Sequence, residues 1–154
     1  MKRERKGSRI VLLKPDMSFL MLHFAYDRGP LAGTDYWGLP GGGHEPGETP
    51  AEAAVRELFE ETGLRVDAVG ELLTESRYDF RLASGEDVVQ HDYYFTVRVG
   101  CDVTLSQDDL TPQETATLAG ERWWRLGELS GTAERVQPGD LFGVLSASGL
   151  FEKP

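Results

Sequence analysis

Residues 41–64, GGGHEPGETPAEAAVRELFEETGL, constrain the fold more than any other stretch, because they specify both ends of a helix. Thr49-Pro50-Ala51-Glu52 has the form of a capping box: Thr49 is the N-cap, Pro50 takes the first helical position, and Glu52 follows the cap by three residues. Gly63 supplies the stop, since glycine readily takes the left-handed conformation that ends many helices. The helix should cover residues 50–62. Its helical period gathers Ala51, Ala54, Val55, Leu58 and Thr62 on one side, with Phe59 at the edge, as a core face. On the opposite side Glu57, Glu60 and Glu61 share one arc, accompanied only by small Ala53.

This segment holds six glutamates and one arginine in a chain whose net charge is −10. A solvated acidic face is the simplest account of such a helix. Against it, like charges at these spacings cost roughly 0.2–0.5 kcal/mol per pair, and no lysine is interleaved to relieve them. A divalent cation would turn the repulsion into attraction. Carboxylate oxygens are the ligands that Mg2+ and Mn2+ prefer, and three of them on one arc form a platform with an open side. Gly41, Gly42 and Gly43 let the backbone approach a ligand closely.

Outside the segment the chain reads mainly as strands. Residues 8–14 and 19–25 suggest a hairpin turning at Pro15-Asp16, and 27–35 a loop leading to the short run 36–39. Residues 70–82 and 88–99 flank the turn ASGED and form the clearest hairpin. The polar stretch 100–120 reads as a mobile loop, 122–126 as a short strand, and 138–148 as a closing helix. At 154 residues the chain supports one core, so a single domain over 1–154 is expected, with 1–7 as a flexible terminus.

Composition excludes several functions. The acidic balance argues against duplex nucleic acid as a partner, because such binding rests on cations that neutralise phosphates. No apolar run approaches the roughly 20 residues that cross a bilayer, and the start MKRERKG lacks a signal-peptide core, so no membrane partner and a cytoplasmic location are expected. Cys101 is the only cysteine and has no neighbours at zinc spacing; its default is a small buried apolar residue.

Gly42, five residues, Glu48, seven residues, Arg56-Glu57-Leu58, one residue, Glu60-Glu61, one residue, Gly63-Leu64 matches the Nudix box at every specified position. Trp37-Gly38-Leu39-Pro40-Gly41-Gly42 resembles the flank that usually precedes it. The chain therefore resembles the Nudix (MutT-like) hydrolase family. That resemblance implies an α+β fold, an α/β/α sandwich with a mixed β-sheet between helices. It implies a pyrophosphohydrolase that cleaves a diphosphate linkage in a nucleoside diphosphate joined to another group, using Mg2+ or Mn2+ and a water that attacks phosphorus.

By the same resemblance Glu57, Glu60 and Glu61 correspond to metal-binding carboxylates, and Gly41 is counted with that set. Glu48 corresponds to an assisting glutamate, and Arg56 to an arginine that pairs with the box glutamates. Glu60 or Glu61 could take the water's proton, and Glu114 and Glu121 are alternatives on later segments; the choice stays open. For substrate, Arg9, His23, Arg28, Arg77 and Arg81 are the cationic candidates, and Tyr26, Tyr36, Trp37, Tyr78, Phe80, Tyr93 and Phe95 are the aromatics that could stack on a base. His44 is expected to be solvent-exposed. Many members are homodimers, so a dimer is implied. Two other readings stand beside hydrolysis: a non-catalytic nucleotide-binding module on the same fold, and an isopentenyl diphosphate isomerase, which would need a catalytic cysteine. Which substrate is cleaved is left open.

Overall fold

The computed structural model describes residues 2–108, 110 and 112–151. Seven strands form one mixed sheet with the order β3-β2-β1-β6-β5. They are β1 (Arg3–Leu13), β2 (Phe19–Ala25), β3 (Asp35–Gly38), β4 (Gly41–Gly43), β5 (Leu72–Arg81), β6 (Asp87–Arg98) and β7 (Leu118–Trp124). β4 pairs with β1 and β7 with β2. Among these strands only β1 and β6 run parallel, through eleven residue pairs from Arg3↔Val88 to Leu13↔Arg98.

The two central strands are apolar on both faces, as a sheet covered on both sides requires. Ile10, Leu12, Leu20 and Leu22 point toward α1 (Pro50–Thr62) and pack with Ala54 and Leu58. Val11, Leu13, Phe19 and Met21 point the other way, onto Leu129 of α3 (Leu126–Gly131) and Leu141 and Leu145 of α4 (Leu141–Ala147). The sandwich of a mixed sheet between helices is thus as expected. Trp123 and Trp124 divide between the layers: Trp124 is fully buried beside α3 and α4, and Trp123 packs on the α1 side under the Lys14 ammonium.

Helix α1 has the anticipated bounds. Thr49 accepts from the Glu52 N–H, the Glu52 carboxylate accepts from the Thr49 N–H, and Gly63 is left-handed with φ 77°. Its buried side, however, is turned toward the glutamates. Ala53, Glu57 and Glu61 are buried alongside Ala54, Leu58 and Thr62, whereas Val55 is only half-buried. Helical period could not reveal this, because β4 passes in front of the acidic arc and covers it.

Three further expectations are corrected. Residues 3–7 belong to β1, not to a flexible terminus, because β6 supplies backbone partners from Arg3 onward; Met1 lies outside the described residues. The hairpin of β1 and β2 registers only at Leu13↔Phe19; the strands then part, and β4 pairs with β1 at Gly7, Ser8 and Arg9. The stretch 100–120 is not one long loop. The Ser106 N–H donates to the Thr62 carbonyl at 2.7 Å, residues 112–117 form α2 (Pro112–Thr117), and β7 begins at Leu118. Six residues are too few to show a helical period. Asp109 and Thr111 of that stretch lie outside the described residues.

Since the capping box closes at both of its hydrogen bonds, Thr49→Ala should lower stability by about 1 kcal/mol in denaturant titration.

Candidate active site

A cleft of about 560 Å3 opens where β1 and β2 part. One wall is the acidic arc of α1, and β4 explains how closely backbone and carboxylates meet there. The Gly41 N–H donates to Glu61 Oε1 at 2.6 Å. A Cβ on Gly41 would fall 1.9 Å from the Ser8 carbonyl oxygen, and one on Gly42 would fall 2.7 Å from Glu57 Oε1. Side chains at these positions would drive β4 off its neighbours.

Arg56 organises the carboxylates nearer the surface. Its Nε and Nη2 donate to the two oxygens of Glu48 at 2.7 and 2.9 Å, a bidentate pair. Nη2 also donates to the Gly43 carbonyl at 3.0 Å, and Nη1 to Glu57 at 3.0 Å and to Glu60 at 3.3 Å. The arginine thus ties helix, box loop and β4 together. Its pull holds the Glu48 carboxyl below the ordinary value.

Glu57 and Glu61 are less well compensated. Burial pushes the Glu57 carboxyl up to about 7; Arg56 opposes the shift, while Glu60 and Glu114 add to it. Glu61 is also raised well above the ordinary carboxyl value, by burial first and then by Glu57, with the Gly41 N–H as the opposing influence. Helix α2 brings Glu114 to the same point, and one oxygen from each of Glu57, Glu61 and Glu114 lies within 4.8 Å of the others. Two of the three carboxylates, Glu57 and Glu61, are buried, and Arg56 pairs with Glu57. An all-oxygen anionic donor set of this kind fits a hard divalent cation such as Mg2+ or Mn2+.

The expected site residues divide accordingly. Glu48, Arg56, Glu57, Glu60, Glu61 and Glu114 come together, but Glu60 stays with Arg56, outside the group of three, and is raised by its partial burial. Gly41 enters through its N–H, which orients Glu61. Glu121 is exposed on β7 opposite Leu22, away from the cleft. Arg9 lines the cleft, paired with Asp92 at 3.3 Å.

His23 and Trp37 stack at 4.7 Å on the other face of the sheet, where His23 meets Asp35 at 2.8 Å. Strand alternation puts them there, because neighbouring Phe24 and Tyr36 face the cleft. Arg77 and Arg81 share the exposed face of β5, paired with Glu4 and Asp87, while Phe80 between them turns inward. Arg28 lines a neighbouring hollow that shares Tyr26, Ala83 and Thr117 with the cleft. His44 is not solvent-exposed as expected: it is half-buried, bonds Ser8 Oγ at 2.8 Å, and burial lowers its ring's basicity.

Sequence reasoning missed Arg5, which lines the cleft; its alternation with Gly7 and Arg9 was the available signal. Tyr26, Tyr36 and Phe80 form the aromatic wall, with Tyr36 6.2 Å from Tyr26 and 6.1 Å from Phe80 between ring centroids. Cys101 is exposed and outside the cleft, so it is neither buried nor placed for isomerase chemistry.

The profile described as NUDIX domain matches residues 3–141. The chain therefore belongs to the Nudix hydrolase family, pyrophosphohydrolases that act on nucleoside diphosphate derivatives. It is 35% identical over 108 residues to the nucleoside triphosphatase NudI of Enterobacter sp. (strain 638), covering 70% of this chain and 75% of that protein. It is 38% identical over 112 residues to the RNA pyrophosphohydrolase of Azorhizobium caulinodans, covering 68% of this chain and 66% of that one. Among solved structures, the MutT protein from Methanosarcina mazei Go1 shares the fold, with a TM-score of 0.70, 22% identity and coverage of 96% and 94%.

If the three carboxylates hold a cation, Mg2+ or Mn2+ in excess should raise the melting temperature by several degrees, through preferential binding to the folded state. Gly42→Ala should shrink that rise in the same thermal scan by displacing Glu57.

Proposed function

We propose that the cleft catalyses Mg2+- or Mn2+-dependent hydrolysis of a phosphoanhydride bond in a nucleotide, with Glu57, Glu61 and Glu114 as the metal-holding residues. The convergence of those three carboxylates carries the reading. A divalent cation held there supplies charge neutralisation for phosphate oxygens and acidifies an attacking water.

The chain's own groups do the remaining work. The Gly41 N–H and Arg56 fix the orientations of Glu61 and Glu57, so the donor oxygens face the cleft without reorganising on binding. In this reading Glu60, which lines the same cleft outside the group of three, takes a proton from the attacking water on a carboxylate oxygen. Tyr26, Tyr36 and Phe80 offer the apolar wall against which a base can lie. Two of the relatives carry names for removing phosphate groups from nucleoside triphosphates or from RNA, which supports a nucleoside triphosphate or a triphosphate-bearing end as the first substrates to try.

The deciding experiment incubates the protein with Mg2+ and then Mn2+ against nucleoside triphosphates, triphosphorylated RNA, nucleotide sugars and dinucleoside polyphosphates. Turnover should appear only with metal. Glu57→Gln and Glu61→Gln should each lower kcat on the best substrate by roughly 10³-fold or more, about 4 kcal/mol of barrier. Undiminished activity in either variant would overturn the assignment, and binding without turnover in the wild type would favour a non-catalytic module.

A further inference from the structure

Among the described residues three guanidiniums line the cleft, those of Arg5, Arg9 and Arg56, and the two on β1 are unequally matched. Arg9 is paired with fully buried Asp92 and donates to the Leu39 carbonyl. Arg5, on the same face of β1, donates from Nη1 to the Gln90 amide oxygen at 2.8 Å. Gln90 in turn donates from Nε2 to Asp92 at 2.8 Å. The single carboxylate of Asp92 therefore serves both arginines, one directly and one through a neutral amide. Tyr78 also donates its hydroxyl to that carboxylate, at 2.9 Å. Among the described residues Arg5 makes no ion pair, and its Nε and Nη2 make no hydrogen bond. Burial and the adjacent Arg9 both act against its charge.

The position is built to hold this side chain. The Arg5 guanidinium packs against Gly43, where a Cβ would come within 2.5 Å of Nη2. On the opposite face of the same three-residue strand, Glu57 presses on Gly42. β4 thus has a carboxylate on one side and a cation on the other, one residue apart, a step of about 3.8 Å along the chain. Both groups line the same cleft, and among the described residues the Arg5 Nε and Nη2 have no hydrogen-bond partner; such an edge matches a phosphate bidentately.

We propose that Arg5 binds a phosphate group of the substrate and sets affinity for its phosphoanhydride portion. This rests on the reading of the cleft given above. It assigns the role to a residue outside the glutamate helix, and it is tested by binding alone.

The probe is inorganic pyrophosphate, titrated calorimetrically into the protein in Mg2+ buffer. Arg5→Gln should weaken binding about 10–100-fold, the loss of a charge-assisted hydrogen bond or two. Arg5→Lys should recover only part of it, because an ammonium lacks the fork. Arg77→Gln, on the exposed face of β5, should bind within about twofold of wild type. Melting curves verify folding, and Arg5→Lys carries the test if Arg5→Gln does not fold. Arg5 variants that bind as the wild type does, or a wild type that binds no pyrophosphate, would overturn the assignment. Arg5-dependent binding of pyrophosphate without turnover of any nucleotide would leave it standing while removing the hydrolytic reading.

Discussion

The close approach of a three-glycine strand to an acidic helix is the contact on which the rest of the site depends. Gly41 gives its N–H to Glu61, and Gly42 leaves the space that Glu57 occupies. Without that approach the carboxylates would stay in solvent, well hydrated and separate. With it they are buried, and their proton affinities rise because burial penalises charge. The fold keeps them there because Leu58 and Ala54, on the same helix, are anchored in the core beneath β1 and β2.

Charge around β4 is arranged by distance. Arg56 lies on the solvent side and links Glu48, Glu57 and Glu60, so the outer carboxylates have a permanent counter-charge. Arg5 and Arg9 lie on the other side of the strand with Asp92. Between the two sets, Glu57, Glu61 and Glu114 converge, with Arg56 touching Glu57. A protein of net charge −10 can attract a phosphate only by focusing positive charge locally, and these two sides of β4 are where it does so.

Much of this was legible in local sequence. The capping box, the glycine stop and the two-faced strands follow from side-chain period and backbone preference, which act over a few residues. The shared arc of Glu57, Glu60 and Glu61 follows in the same way. Period alone misjudged which way the helix faces: it treated the glutamates as the side away from the core, because β4 enters only through tertiary packing. It also took 100–120 as one loop, since α2 is too short for a pattern.

Arg5 shows the boundary between the two kinds of information. As part of MKRERKG it reads as one charge in a solvated terminus, yet pairing with β6 makes it a strand residue, and alternation then aligns it with Arg9. His23, Trp37, Arg77 and Arg81 show the converse, since parity says which residues share a face but not which face borders the cleft. The sequence by itself determined the glutamate helix, its caps and its family, because those depend on spacing along one chain segment. Only the tertiary structure decided that Glu114 joins Glu57 and Glu61, that Glu121 does not, and that Arg5 lines the cleft. Those outcomes depend on strand pairing between distant segments, which local propensity does not encode.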